Sequence, residues 1–173
     1  MLLHSSAWWP MLFLLAAATA VDIQSRRIPN WLVMPFLAAG IVVTTASHGA
    51  KGLLSSMGGI ALAAAVAGIP CWLGGMGMGD LKLCAAVGGW IGPAQLVTAL
   101  VATGIAGGAM ALIWAAFHGS VGESLDGSSD LVSRFWTAGV RPRPELTLDS
   151  PAARTMPYAP AIALGTIFSF FTA

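Results

Sequence analysis

Residues 74–80 read Gly74-Gly75-Met76-Gly77-Met78-Gly79-Asp80, a glycine-rich run that ends on a carboxylate and is bordered by apolar sequence on both sides. Burying an ionised carboxylate in such surroundings costs about 3 kcal/mol or more, so an acid in this setting points to function. One other acid is placed in the same way: Asp22, at the end of the first apolar segment. Apolar segments separated by short polar breaks, with two of the breaks carrying a carboxylate, set the reading of the whole chain.

Composition fixes the solvent. Of the 173 residues 57% are hydrophobic and only 9% charged, and the mean hydropathy is +0.80, whereas a soluble domain carries about 25% charged residues. The chain therefore reads as an all-α integral membrane protein of one domain, residues 1–173, with the lipid bilayer as its partner. A net charge of +1 lacks the basic footprint of a nucleic-acid binder. Cys71 and Cys84 have no CxxC spacing, and His4, His48 and His118 are scattered near segment ends, so neither a disulfide framework, a metal site nor any cofactor is expected. Both cysteines read as small packing residues.

Six apolar segments follow one another, at about 7–22, 31–46, 53–73, 80–91, 94–117 and 157–171, with one long polar loop at 118–156. The first ends with a small-x-small triplet, Ala18-Thr19-Ala20, like a signal-peptidase site. Residues 1–6 carry no Lys or Arg, however, and a signal peptide begins with positive charge, so the segment reads as a span. Pro29 discourages helix at Ile28, and Asn30 can start the second helix. Residues 47–52 read as a turn. The first two segments fall short of the roughly 17 residues a crossing needs, and Trp8, Trp9 and Trp31 extend them at the interfaces. The fourth is shorter still: eleven residues, Leu81 to Ile91, cover about 16 Å of helix, so it crosses only with the glycine run at its front inside the membrane. In the long loop, Leu131, Val132, Phe135 and Trp136 recur at helical spacing opposite Asp130 and Arg134, the pattern of a short helix on the membrane surface.

Six crossings place Arg26, Arg27, Lys82, Arg134, Arg141, Arg143 and Arg154 on one side and Lys51 alone on the other. The seven-residue side is then cytoplasmic and both termini are extracytoplasmic. Parity now yields chemistry. Asp22 ends the first crossing and Asp80 follows the third, so both emerge at the same face whichever way the bundle is inserted. Two carboxyls a few ångströms apart can share one proton. The ionised one draws a proton from water while the protonated one polarises a peptide carbonyl. The glycines before Asp80 remove side chains, which lets backbone approach closely and the chain leave helical geometry. Unwound backbone at membrane depth is tolerated only where it is buried in protein or lines a wet cavity, and an intramembrane hydrolase needs such a cavity for its water. The rival for any Gly-x3-Gly pair is helix packing, which is the reading for Gly104 and Gly108. Lys82, two residues past Asp80, can stabilise a neighbouring carboxylate or anchor its span. Arg26 and Arg27 read as topology determinants.

Gly77-Met78-Gly79-Asp80 followed by Lys82, Asp22 followed by Arg26-Arg27-Ile28-Pro29-Asn30, and Pro157-Tyr158-Ala159-Pro160 opening the last segment together closely resemble the type IV prepilin peptidases, the GxGD aspartyl proteases of pilus and type II secretion systems. The resemblance covers nearly all of the chain outside 118–156. It implies six spans in a bacterial inner membrane, catalytic Asp22 and Asp80, and site-shaping Gly77, Gly79, Lys82, Pro29 and Asn30. It implies as substrate a prepilin or pseudopilin precursor, cut at the cytoplasmic membrane face just before its apolar helix. Longer members carry a cytoplasmic insertion with paired CxxC cysteines and methylate the new amino terminus. This chain has eight residues, 23–30, between its first two segments, so the expectation is a peptidase without methyltransferase, as in the compact enzymes of tight-adherence pili. From another functional class, a proton or ion carrier, or a membrane scaffold, would use the same two acids as a relay. No inverted repeat supports it.

Overall fold

The computed structural model describes residues 8–25, 28–72, 76–117 and 157–172. They form four helices and no strand: α1 (Trp8–Ser25), α2 (Asn30–Trp72), α3 (Met78–Phe117) and α4 (Ala159–Thr172). α2 and α3 are each broken once, at Gly49 (φ 60°, ψ −140°) and at Gly92 (φ 74°, ψ 175°). A positive φ strains any residue with a Cβ, which is why glycine stands at both breaks. After Gly92, Pro93 also lacks the N–H and clashes with a continuing turn. The described residues thus hold six helical stretches: α1, two arms of α2, two arms of α3, and α4.

The arms fold back on each other. Phe36 and Gly40 from the first arm of α2, and Ser56 and Gly59 from the second, meet the same stretch of α3, residues 88–90. Gly88 and Leu96, on either side of the Gly92 break, likewise approach one another. Glycines make these contacts possible. Gly59 and Gly88 bring two helix backbones together so closely that a Cβ on Gly88 would sit 2.6 Å from the Gly59 carbonyl oxygen, and one on Gly40 would lie 2.7 Å from the Trp90 indole. Two side-chain bonds tie the elements across these contacts, Ser56 Oγ to the Gly89 carbonyl and Trp90 Nε1 to the Phe36 carbonyl, both 2.7 Å. Lipid offers no hydrophobic drive between helices, so close approach of small residues takes over that work. The core accordingly mixes Met11, Leu14, Leu83 and Leu96 with Ala18, Ala63, Ala67, Ala86, Ala159 and Ala161.

α1 and α4 run antiparallel. Trp8 packs edge-on against Phe170 at one end, with ring centroids 4.7 Å apart, and Asp22 meets Ala159 at the other. α2 and the Met78–Trp114 part of α3 are long and apolar enough to cross a membrane. The outer surface is strongly apolar, with Trp31, Trp72 and Phe117 exposed at the Asp22 end, Trp9 and Phe171 exposed at the opposite end, and Leu54, Val66, Val101 and Ile105 exposed between. A monomer in water rarely shows apolar patches on this scale, and the architecture is that of a membrane protein.

Two expectations change. The turn anticipated over 47–52 shrinks to Gly49 alone, with helix on both sides. Ser47 and His48 are polar residues on the last helical turn, which sequence alone does not separate from a loop. Gly104 and Gly108, expected to pack, face open space with nothing within 4 Å of a Cβ on either, whereas Gly107 between them is buried under Tyr158. The expected surface helix around 131–136 and the rest of the 118–156 loop lie outside the described residues, as do Gly74, Gly75, Arg26 and Arg27.

Candidate active site

One end of the bundle gathers the end of α1, the start and end of α2, and the starts of α3 and α4. Asp22 lies in the last turns of α1 and is 5% exposed. The Ala159 backbone N–H donates to its Oδ2 at 3.0 Å. A helix leaves its first N–H groups without intrahelical partners, and its N-terminus carries a partial positive charge. Asp22 therefore satisfies one open donor of α4 while the positive end of α4 faces its carboxylate. The sequence motif at 157–160 does its work here through backbone: the Tyr158 carbonyl accepts from Ala161 N–H at 3.0 Å and Ile162 N–H at 3.3 Å, opening the helix and aiming the Ala159 N–H at Asp22.

Asp80 stands in the first turn of α3. The Gly77 carbonyl accepts from Asp80 N–H at 3.1 Å and from Leu81 N–H at 3.3 Å, and the Asp80 carboxylate folds back to the Gly77 backbone. This reciprocal arrangement is that of a capping box, with the acid three residues into the helix. A Cβ on Gly77 would lie 3.2 Å from Asp80 Oδ2, so the missing side chain leaves room for the carboxylate. Asp22 and Asp80 are close enough to act on one another electrostatically.

The remaining residues singled out in the sequence form the brace around this pair. A Cβ on Gly79 would come within 3.1 Å of Ile28 Cβ and 3.3 Å of Ile28 N, so the segment between α1 and α2 packs directly on the turn carrying Asp80. Lys82 Nζ donates to Asn30 Oδ1 at 2.9 Å, one turn further on. The Pro29 carbonyl accepts from Leu32 N–H at 3.2 Å and starts α2. The expectation of an unwound glycine run is corrected in part. Gly79 is helical, neither Gly77 nor Gly79 has a positive φ, and the close approach at Gly79 is made by the chain's own Ile28 instead of a ligand. Lys82 likewise reaches an amide oxygen and not a carboxylate. Beside the brace lies an open cleft of about 480 Å³ lined by Val21, Ser25, Ile28, Pro29, Asn30 and Trp31.

Among the described residues no group of His, Cys, Asp and Glu is arranged to hold a metal ion. Both cysteines are free; Cys84 belongs to the core, and Cys71 Sγ lies 3.0 Å from Met78 Sδ. Sequence reasoning named Ile28, Tyr158 and Ala159 only as members of the 26–30 and 157–160 motifs and passed over Gly107. A hydrophobic residue, a glycine and a backbone amide carry no chemical signature of their own, so their contacts were not foreseen.

Residues 9–112 match the model of the type IV leader peptidase family. The chain belongs to that family. The matched stretch contains both acids, the Ile28-Pro29-Asn30 segment and the glycine run. Among curated proteins, this leader peptidase family member is 30% identical over 110 residues to a "Prepilin leader peptidase/N-methyltransferase" from Burkholderia pseudomallei strain 1026b, and equally to its counterpart in strain K96243. The match takes in 57% of this chain and 34% of each relative, so the chain spans about a third of the length of the curated relatives it matches. No solved structure matches it.

Proposed function

We propose that this leader peptidase family member is an aspartic endopeptidase that removes the basic leader of a prepilin or pseudopilin precursor at the cytoplasmic face of a bacterial inner membrane. The observation that carries the proposal is that Asp22 and Asp80, from helices far apart in sequence, lie at one end of the helical bundle within electrostatic reach of each other. One carboxylate takes a proton from a water molecule, whose oxygen attacks the scissile carbonyl carbon. The other, protonated, donates to the carbonyl oxygen and stabilises the tetrahedral intermediate. Collapse breaks the C–N bond, a proton passes to the leaving nitrogen, and the new carboxyl and amino ends separate. The mostly apolar cleft at Val21–Trp31, beside Asp22 in the chain, offers a seat for extended substrate backbone flanking the cut, with Pro29 and Asn30 shaping it.

The six helical stretches and the seven-to-one division of Lys and Arg both support six crossings, with the dyad on the cytoplasmic side and the termini outside. A peptidase without N-methyltransferase activity is supported by the direct passage from α1 to α2 through residues 26–29, where no inserted domain stands. The test uses detergent-solubilised protein and a precursor with a basic leader ahead of an apolar helix. Wild type should cut once, at the junction, and Asp22→Asn and Asp80→Asn should each lose at least about 100-fold in rate. A wild type that leaves such precursors whole, or an Asn variant cutting at the normal rate, sinks the proposal and returns weight to a proton relay.

A further inference from the structure

Asp22 is held by a backbone amide whose position depends on how α4 sits against α3, and two notches set that seating. At Gly165, a Cβ would meet the Ala99 carbonyl oxygen and Thr103 N, each at 2.5 Å, and would also strike Thr103 Oγ1. At Gly107, a Cβ would lie 2.5 Å from Tyr158 Cε2, 2.6 Å from its Oη and 2.8 Å from its Cζ, so the ring of the chain's single tyrosine rests directly on the bare α3 backbone. Tyr158 is also the residue whose carbonyl opens α4, and the next amide in the chain is the one that donates to Asp22 Oδ2. The path from notch to carboxylate is therefore one ring, one residue and one hydrogen bond long. Gly104 and Gly108, on the same helix and within one turn, face open space, so a requirement for glycine on this arm is specific to position 107.

We infer that Gly107 is a positioning residue for Asp22: its notch seats the Tyr158 ring and so fixes the depth of the α4 N-terminus from which Ala159 N–H holds the carboxylate. This rests on the proposal that Asp22 takes part in peptide cleavage. A new Cβ at Gly107 makes the tip of the ring give way by an ångström or so. On this inference the half-buried ring passes the shift to the Ala159 amide, whose 3.0 Å bond is then stretched beyond hydrogen-bonding distance, and a misplacement of that size at a reacting group can cost about 100-fold in rate.

The experiment measures kcat and KM for the detergent-solubilised full chain with a synthetic precursor peptide carrying a basic leader and the start of an apolar helix. Gly107→Ala should lower kcat roughly 10- to 100-fold and leave KM within about twofold, while Gly104→Ala and Gly108→Ala match wild type. Tyr158→Phe, which keeps the ring, should retain near-normal kcat. Tyr158→Ala, which empties the notch without adding a clash, should lose kcat as Gly107→Ala does, and it decides the matter if Gly107→Ala does not fold. Wild-type kcat in both Gly107→Ala and Tyr158→Ala, a loss confined to KM, or equal losses at positions 104 and 108 would overturn the inference. An active Asp22→Asn variant would instead remove the catalytic reading on which it rests, so the two failures are distinct.

Discussion

Cutting the bond between Lys82 and Asn30 should loosen the turn that carries Asp80 while leaving the bundle folded. The perturbation is Asn30→Ala, Lys82→Met and the pair combined, Met keeping the aliphatic stem of lysine. The Nζ–Oδ1 distance of 2.9 Å is that of a good charge-assisted bond, for which about 1.5–3 kcal/mol is usual. The pair sits at the exposed rim of the bundle, where solvent competition brings the expected coupling down to about 1 kcal/mol. That corresponds to roughly fivefold in an equilibrium constant. Equilibrium unfolding in mixed micelles should show each single variant destabilised by about 1 kcal/mol and the double variant little worse than either. Precursor cleavage should fall by a similar, roughly fivefold factor in all three, because each breaks the same link between Asn30 and the helix that presents Asp80. Strictly additive losses would mean the two side chains act independently. Full activity in Asn30→Ala beside an inactive Lys82→Met would mean that Lys82 serves the chemistry directly, and either result refutes the brace.

The other predictions follow from single contacts. Gly59→Ala drives a methyl group into the Gly88 carbonyl where two helix backbones touch, and should lower stability by about 1–3 kcal/mol, read as a lower unfolding midpoint, with Gly108→Ala as the silent control. Gly77→Ala places a Cβ 3.2 Å from Asp80 Oδ2 and should displace the carboxylate by a few tenths of an ångström, reducing kcat about tenfold with little change in unfolding. Cleavage should fail as pH rises, because the reaction needs one of the two carboxyls protonated and that shared proton is the one lost; a rate flat across the alkaline range would argue for different chemistry.

Much of this architecture was legible because lipid imposes simple rules. The apolar segments and the parity of Asp22 and Asp80 needed only composition and counting, and the breaks at Gly49 and Gly92 fall where turn residues stood out. Asp22 and Asp80 lie at the same end of the bundle. What could not be read was contact. Gly104 and Gly108 have the Gly-x3-Gly spacing of a packing pair and face open space, while the buried glycine is Gly107. Spacing places residues on one face of a helix but does not say which face meets a neighbour, and in a chain apolar all round no amphipathic stripe marks the inner side. The same limit hid the partner of Lys82. A cation two residues from Asp80 invites pairing with that acid, yet helical geometry turns successive side chains apart, and the lysine reaches across to Asn30.

The glycines around Asp80 therefore have a different use from the one their sequence suggests. A run of glycine before an acid invites the picture of a loose loop, opened for a substrate backbone. Gly79 is instead a contact point for Ile28, and Gly77 is the bare cap over which the Asp80 carboxylate folds. Both fix the acid. Asp22 is fixed by the complementary device, a helix N-terminus aimed at it from α4, whose own seat depends on a bare backbone at Gly107. A pair of carboxyls that must share a proton tolerates little variation in separation, because their interaction falls off with distance and is felt most strongly where water is sparse. Preorganisation of this kind costs no rearrangement at the moment of reaction. If substrate is seated along the Val21–Trp31 cleft, as proposed, bulk added at Pro29 or Trp31 should raise KM with kcat little changed, whereas bulk added at Gly77 should lower kcat.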